Sequence, residues 1–218
     1  AIVLTSATPE PARALLAKIR ARGQEALSVD SDEVVPSGAM VVVRRFAFEP
    51  DALVLRDGAG ARLPYADILA VVRAVHRTRT ETRSQVNDRS FSMGRALVTG
   101  GLVLTKTTTH EEKTVALDRD ALLYLFRASD QTPWIVHERS ADYSTLGAAL
   151  APSSAQNFLT LVARIRAAAP HAMYDERLAG PGATTARPIR ASGAGSTAVS
   201  SASGTDLVAH ILARRVRK

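Results

Sequence analysis

The chain contains no cysteine, which removes disulfides, zinc–thiolate sites, iron–sulfur clusters and any thiol nucleophile together. Aromatic residues make up only 5% of its 218 residues, so a base-stacking surface for nucleic acid has little to be built from. No apolar run approaches the roughly 18–20 residues that a membrane helix needs. The longest, Ala96 to Leu104, is interrupted by Thr99-Gly100-Gly101. The five histidines, His76, His110, His137, His171 and His210, are never paired at ligand spacing, and neither G-x-S-x-G nor G-x-G-x-x-G occurs. A metal centre, a serine-hydrolase elbow and a dinucleotide fold therefore have no sequence support, and the expectation is no cofactor, no metal and no catalytic residue. Leu97-Val98-Thr99-Gly100-Gly101 has a glycine turn, but a strand-like segment follows it where a phosphate-binding fold needs a helix.

What is present is a positive charge of +7 with a pI near 10.3. It is unevenly spread. Residues 179–218 hold Arg187, Arg190, Arg214, Arg215, Arg217 and Lys218 against Asp206 alone, leaving 22 basic and 20 acidic side chains in residues 1–178. Only four of the basic residues are lysine, and this arginine- and alanine-rich bias is what a GC-rich genome imposes, which weakens the argument from pI to nucleic acid. Ile2-Val3-Leu4 is too short for a signal peptide and lacks a basic flank, so the expectation is a soluble chain in the cytoplasm.

Along the chain, residues 1–35 read as a small β-α-β element. Ile2-Val3-Leu4 and Glu25 to Val29 are the strands, and between them Ala12, Leu15, Leu16 and Ile19 share a helical stripe that Pro9 can open and Gly23 can close. After the polar connection Asp30 to Gly38, the period becomes two. Met40 to Phe48, Ala52 to Arg56 and Ala61 to Tyr65 are strands separated by Glu49-Pro50-Asp51 and by Asp57 to Gly60. Ile68 to Arg83 also fits a helix through Ile68, Val71, Val72 and Val75, but its threonine-rich end favours a long strand.

Ser84 to Gly94 reads as a loop. Leu102 to Thr107, Thr114 to Leu117, Leu122 to Arg127 and Trp134 to Glu138 are further short strands, with turns at 110–113 and 118–120. Ser153 or Ser154 then caps a helix through Ala168 that aligns Phe158, Leu161, Val162 and Ile165. Residues 179–205 are Gly, Ala, Ser, Thr and Pro with almost no large apolar side chains, the composition of a flexible linker. Residues 206–218 form a short basic amphipathic helix.

A seven-stranded antiparallel meander closed by a helix resembles a bacterial pleckstrin-homology-like (PH-like) domain. The likeness rests on Phe46-Ala47-Phe48-Glu49-Pro50-Asp51-Ala52-Leu53-Val54-Leu55-Arg56-Asp57-Gly58, on Leu63 to Ile68, and on the helix Asn157 to Ala169, and covers about residues 39–170. Residues 1–35 are similar in layout to half of a ferredoxin-like signalling unit. The fold class expected is thus α+β: a β-α-β element at 1–35, a PH-like antiparallel β-barrel with its C-terminal helix at 39–172, a linker at 179–205 and a basic helix at 206–218. The resemblance implies binding of peptides, proteins or acidic headgroups, not catalysis. The acidic loop Glu49-Pro50-Asp51 would repel a phosphate.

The function expected is a non-enzymatic adaptor that docks to a protein assembly. Its tail would supply Leu207, Val208, Ile211 and Leu212 as an apolar stripe with Arg214 and Arg215 beside it. A second reading assigns nucleic-acid or anionic-membrane binding to Arg73, Arg77, Arg79 and Arg83, which a strand puts on one face, together with the basic tail. A small-ligand enzyme ranks third.

Overall fold

The computed structural model of the chain describes residues 9–57, 60–91, 105–129, 132–180, 189–193, 196–200 and 202–217. Helices and sheets occur together, as an α+β class requires. The chain divides into two compact units, one of Ala1–Arg77, Arg119–Ile189 and Ser200–Lys218, the other of Thr78–Asp118 and Arg190–Val199.

The first unit carries the helices. Helix α1 (Pro9–Ala21) starts on a proline, whose missing N–H costs nothing at the first helical position. It ends at Gly23, whose φ of +73° suits a residue without a Cβ, with the Gly23 N–H on the Arg20 carbonyl at 2.9 Å. No residue of α1 is buried.

The main sheet of this unit runs β1 (Val41–Val42), β7 (Trp134–His137), β6 (Thr105–Arg127), β5 (Ile68–Phe91), with β8 (Met173–Leu178) on the far side of β5. A smaller antiparallel sheet joins β2 (Phe46–Phe48), β3 (Ala52–Leu55) and β4 (Arg62–Pro64), in the register Phe46 to Leu55 and Leu53 to Leu63. The pairs β1–β7 and β5–β8 are parallel, whereas a plain meander has antiparallel neighbours only.

Because alternate residues of a strand point to opposite faces, β6 divides its apolar run between two cores. Leu123 and Leu125 join Val71, Trp134 and Val136 in one core, with Phe46, Leu53 and Leu63 of the small sheet and Phe158, Leu161 and Ile165 of helix α2 (Ser154–Ala168). Leu122, Tyr124 and Phe126 join Ala70, Val72, Ala74 and Ile135 in the other, under Ala209 and Ala213 of helix α3 (Ala202–Val216). Helix α2 buries large side chains in its core, whereas the apolar residues that α3 buries are the small Ala209 and Ala213. The approach to α2 needs a sharp turn, and Gly147, at φ 58° and ψ −125°, takes the conformation there that a side chain would strain.

The second unit consists, among the described residues, of the distal parts of β5 and β6 with β10 (Ser196–Ser200) and β9 (Ile189–Gly193), in the order β6-β5-β10-β9.

Several expectations are corrected. Glu25 to Val29 is not a strand: among the described residues none pairs with it, and the Ala26 carbonyl accepts the Arg20 guanidinium. Ile2 to Leu4 lies outside the described residues, as do Leu97 to Gly101 and Leu102 to Leu104. The loop expected at Ser84 to Gly94 is strand as far as Phe91, and the turns at 110–113 and 118–120 are absorbed into β6. Neighbour pairing between two long strands supplies each with backbone partners, and this outweighs the local turn preference of Asp118-Arg119-Asp120. Within the expected linker, Ile189–Gly193 and Ser196–Ser200 are strands. Composition argues against side-chain burial there, but sheet pairing draws on the backbone alone. Ile68 to Arg83 is strand and not helix, and the helix expected from Ser153 or Ser154 is present with the same four apolar residues buried.

Leu161 is fully buried and Leu159, two residues earlier on α2, is exposed. Leu161→Ala is expected to lower the unfolding free energy by about 2–5 kcal/mol and Leu159→Ala by about 0.5 kcal/mol or less, read from urea denaturation midpoints at constant slope.

Candidate functional site

The most deeply buried carboxylate described in the first unit is that of Asp206. This carboxylate sits in the second turn of α3 with only 2% of its surface exposed. The Tyr124 hydroxyl of β6 donates to its Oδ1 at 2.7 Å, and the Ser37 backbone N–H donates to its Oδ2 at 2.8 Å. His76 of β5 stands behind the tyrosine, its Nε2 2.9 Å from the Tyr124 oxygen and 3.7 Å from Asp206 Oδ1. A carboxylate only accepts, so the tyrosine proton points to Asp206, and the tyrosine oxygen is left to accept from a His76 ring that carries its proton on Nε2. The direction of donation is His76 to Tyr124 to Asp206.

One helical turn on, His210 continues the network. Its Nε2 accepts the Val35 backbone N–H at 3.1 Å and its Nδ1 lies 2.9 Å from the Asp206 carbonyl oxygen. Since Nε2 is the acceptor, the neutral ring carries its proton on Nδ1 and donates it to that carbonyl. Phe126 meets the imidazole edge to face at 5.0 Å and stacks on Tyr124 at 6.2 Å.

The electrostatics follow from burial and donors. Burial pushes the Asp206 carboxyl up, but the His76 and Tyr124 side chains, the Ser37 N–H and the charge of His76 together outweigh it and hold the group below the usual carboxylate range. Burial, and then the adjacent Asp206 charge, push the Tyr124 hydroxyl far above its ordinary value. Burial lowers His210 below 6.5, against the Asp206 carbonyl, which favours the charged ring. The site thus holds one carboxylate ionised, one phenol protonated and one imidazole neutral. What this arrangement does chemically is to fasten: it ties α3, β6, β5 and residues 35–37 to one another.

The tail residues have correspondingly different surroundings from those expected. Val208 and Leu212 pack against the second core, and Leu207 and Ile211 are half-buried. The stripe is used within the chain, because a sheet buried on both faces needs a cover on this side. Arg214 and Arg215 are exposed and pair with Glu33 and Glu25. Of the arginine stripe, Arg73 pairs with Glu176 at 3.3 Å and Arg77 donates to the Gly180 carbonyl at 2.7 Å, both partners lying in or just after β8. The side chains of Arg79 and Arg83 lie outside the described residues. Arg166 of α2 stacks on Tyr174 at 3.9 Å from the ring centroid.

Other polar groupings are local fasteners. Asp67, held below the usual carboxylate range by Ser129 and Arg127 against its own burial, joins the start of β5 to the end of β6. His137 and Asp120 pair at 2.7 Å across β7 and β6. An open concavity of about 620 Å³ is lined by Val42, Arg44, Arg45, Asp57, Ser140 and Asp142, two cations opposite two anions. Among the described residues no group of three potential metal ligands occurs, and no helix is long and apolar enough to cross a membrane. No family model, curated protein or solved structure matches the chain.

The sequence carried one signal for the fastening site. Asp206 is the only acid of residues 179–218, and His210 follows it at i+4, the spacing that stacks two side chains on one helix face. Nothing in the sequence pointed to Tyr124 or to the backbone N–H groups of Val35 and Ser37.

Tyr124→Phe removes the bridging hydroxyl and leaves Asp206 one donor short and the His76 N–H without its acceptor. A loss of about 1–3 kcal/mol is expected, measured by thermal or urea unfolding, with the secondary structure by circular dichroism unchanged at 20 °C.

Proposed function

We propose that this chain is a non-enzymatic binding protein, a PH-like α+β body that presents helix α1 to a partner protein. Support for the PH-like reading comes from the antiparallel meander β2–β3–β4 and from α2, which closes the core that this meander shares with β5, β6 and β7. The observation that carries the binding function is α1 itself. It is a 13-residue amphipathic helix with no fully buried residue, and its apolar stripe is only half-buried. Ala12, Leu15, Leu16 and Ile19 form a stripe at i, i+3, i+4 and i+7, the spacing with which a helix enters an apolar groove.

Its flanks are cationic. Arg13, Lys18, Arg20 and Arg22 face only Glu10 within residues 9–22, so the partner of matching chemistry is a protein whose apolar groove has an acidic rim. The tail adds less to such a partner than its composition implies, since Val208 and Leu212 are spent on the second core and Arg214 and Arg215 on acidic residues of the same chain. The same accounting disfavours nucleic acid at Arg73 and Arg77, whose guanidinium groups are engaged by Glu176 of β8 and by the Gly180 carbonyl two residues beyond it.

A photoreactive amino acid in place of Leu16, introduced into the full chain in its own cells, is expected to attach covalently to a single protein, while the same group at the exposed Leu159 of α2 attaches to none. That protein is then purified and its affinity measured. Leu15→Lys with Ile19→Lys is expected to weaken the pair at least about tenfold, and Arg13→Glu with Lys18→Glu to slow association most at low salt. Unchanged affinity in the Leu15/Ile19 variant, or attachment only to lipid or nucleic acid, overturns the function.

A further inference from the structure

Helix α3 lies over the second core with unusually little apolar grip. Its buried apolar residues are Ala209 and Ala213, and its larger residues Val208 and Leu212 are only partly covered. An alanine gains far less from burial than a leucine or phenylalanine does, so the polar contacts of Asp206 and His210 carry a larger share of the docking than the α2 contacts need from theirs. His210 is placed where one proton decides the contact. Both ring nitrogens are already committed, Nε2 as acceptor of the Val35 N–H and Nδ1 as donor to the Asp206 carbonyl. A second proton would have to sit on Nε2, where it meets an N–H and finds no acceptor.

We propose that His210 is a proton-sensitive bolt: on taking up a second proton it releases the Val35 backbone and, with it, α3 and residues 35–37 from the sheet. The proposal does not rest on the function assigned to α1. Charged and titratable groups on its own helix are Asp206, Arg214 and Arg217, and on the elements packed with that helix they include Tyr124 and Arg127 of β6, His76 of β5, Asp175 of β8 and Glu33 of the segment before β1. Most are committed elsewhere. Asp206 is saturated by Tyr124 and Ser37, Asp175 is bound by Arg177, and Glu33 is paired with Arg214. The Arg217 charge opposes protonation, in the same direction as burial.

The sign follows from linkage. A buried histidine that titrates below 6.5 binds fewer protons in the closed form than in the open one, so closure is complete above that pH and weakens as pH falls below it. Asp206 contributes in the other window. Its lowered titration is felt only below the ordinary carboxylate range near 4, so a response between pH 6.5 and 5 belongs to a histidine.

The experiment is hydrogen exchange on the full chain from pH 7.5 to 5, expressed as protection relative to the intrinsic rate at each pH. The expected result is that the amides of α3 and of residues 33–37 lose protection by about tenfold per pH unit below 6.5, while those of α2 keep theirs. His210→Gln supplies an oxygen near the Nε2 position that accepts but does not titrate, so its α3 protection should stay flat over the same range. His76→Gln should keep the wild-type response. A flat wild-type profile, a parallel loss in α2, or an equal response in His210→Gln overturns the proposal. If His210→Gln does not fold, the wild-type protein still decides it: α3 protection must begin to fall near 6.5 while the His210 ring resonances titrate at lower pH, and a ring that titrates at or above 6.5 is as decisive against the bolt.

Discussion

The buried carboxylate of Asp206 is the constraint around which the α3 side of the fold is arranged. An ionised group with so little access to water is tolerable only where its lone pairs are met by donors. Here the donors come from three separate stretches of chain: the Tyr124 hydroxyl from β6, the Ser37 N–H from the segment before β1, and His76 from β5 through the tyrosine. None of the three could shift by a residue without stranding the charge. The network thus sets the axial position of α3 and the path of residues 35–37 more sharply than its alanine-lined contact could. Alanines permit close approach but fit many registers about equally well, whereas a carboxylate with assigned donors fits one.

The two faces of the main sheet therefore do different work. Against α2 the contacts are made by Phe158, Leu161, Val162 and Ile165, with Trp134 and the meander strands completing the enclosure, and burial of that many large side chains is the chief source of stability. Against α3 the only apolar residues that the helix buries are Ala209 and Ala213, with Val208 and Leu212 partly covered, and the specificity is polar. A cover held mainly by hydrogen bonds is more sensitive to protonation than one held by apolar area, which is the physical basis for expecting α3 to open before α2 does.

The same distinction explains what could be read from the sequence. Helix α2 was legible to its buried residues because Phe158, Leu161, Val162 and Ile165 repeat at helical spacing in a polar background. So were β2, β3, β4 and β7, where turn residues bracket short alternating runs, and Gly23 as the stop of α1. The unreadable parts were those decided by the backbone of another segment. Asp118 to Asp120 looks like a turn until β5 lies alongside it; Ile189–Gly193 and Ser196–Ser200 look structureless because strand pairing asks nothing of their side chains; β8 is a run of Tyr, Asp, Glu and Arg with no apolar alternation, yet it pairs parallel to β5. The tail stripe was visible, but one sequence cannot say whether an apolar stripe faces its own sheet or another protein's groove. For the site, Asp206 and His210 share a face by spacing alone, while Tyr124 reads as one more residue of an apolar strand.

That ambiguity of stripes falls differently on α1 and α3. Both are amphipathic, and both carry cations near their C-termini, but only α3 is adjacent to a sheet face that would otherwise be bare. The exposed pairs Arg214–Glu33 and Arg215–Glu25 link α3 to the segment following α1, and pairs this accessible to water contribute only about 0–1 kcal/mol each. They are too weak to dock α1, and they supply no apolar surface for Leu15, Leu16 and Ile19. They do place acidic side chains beside the most basic stretch of the chain, so the charge that raises the pI is partly answered internally. A high pI then stops being an argument for a polyanion, and the feature that remains is apolar: a helix whose stripe of Ala12, Leu15, Leu16 and Ile19 is only half-buried.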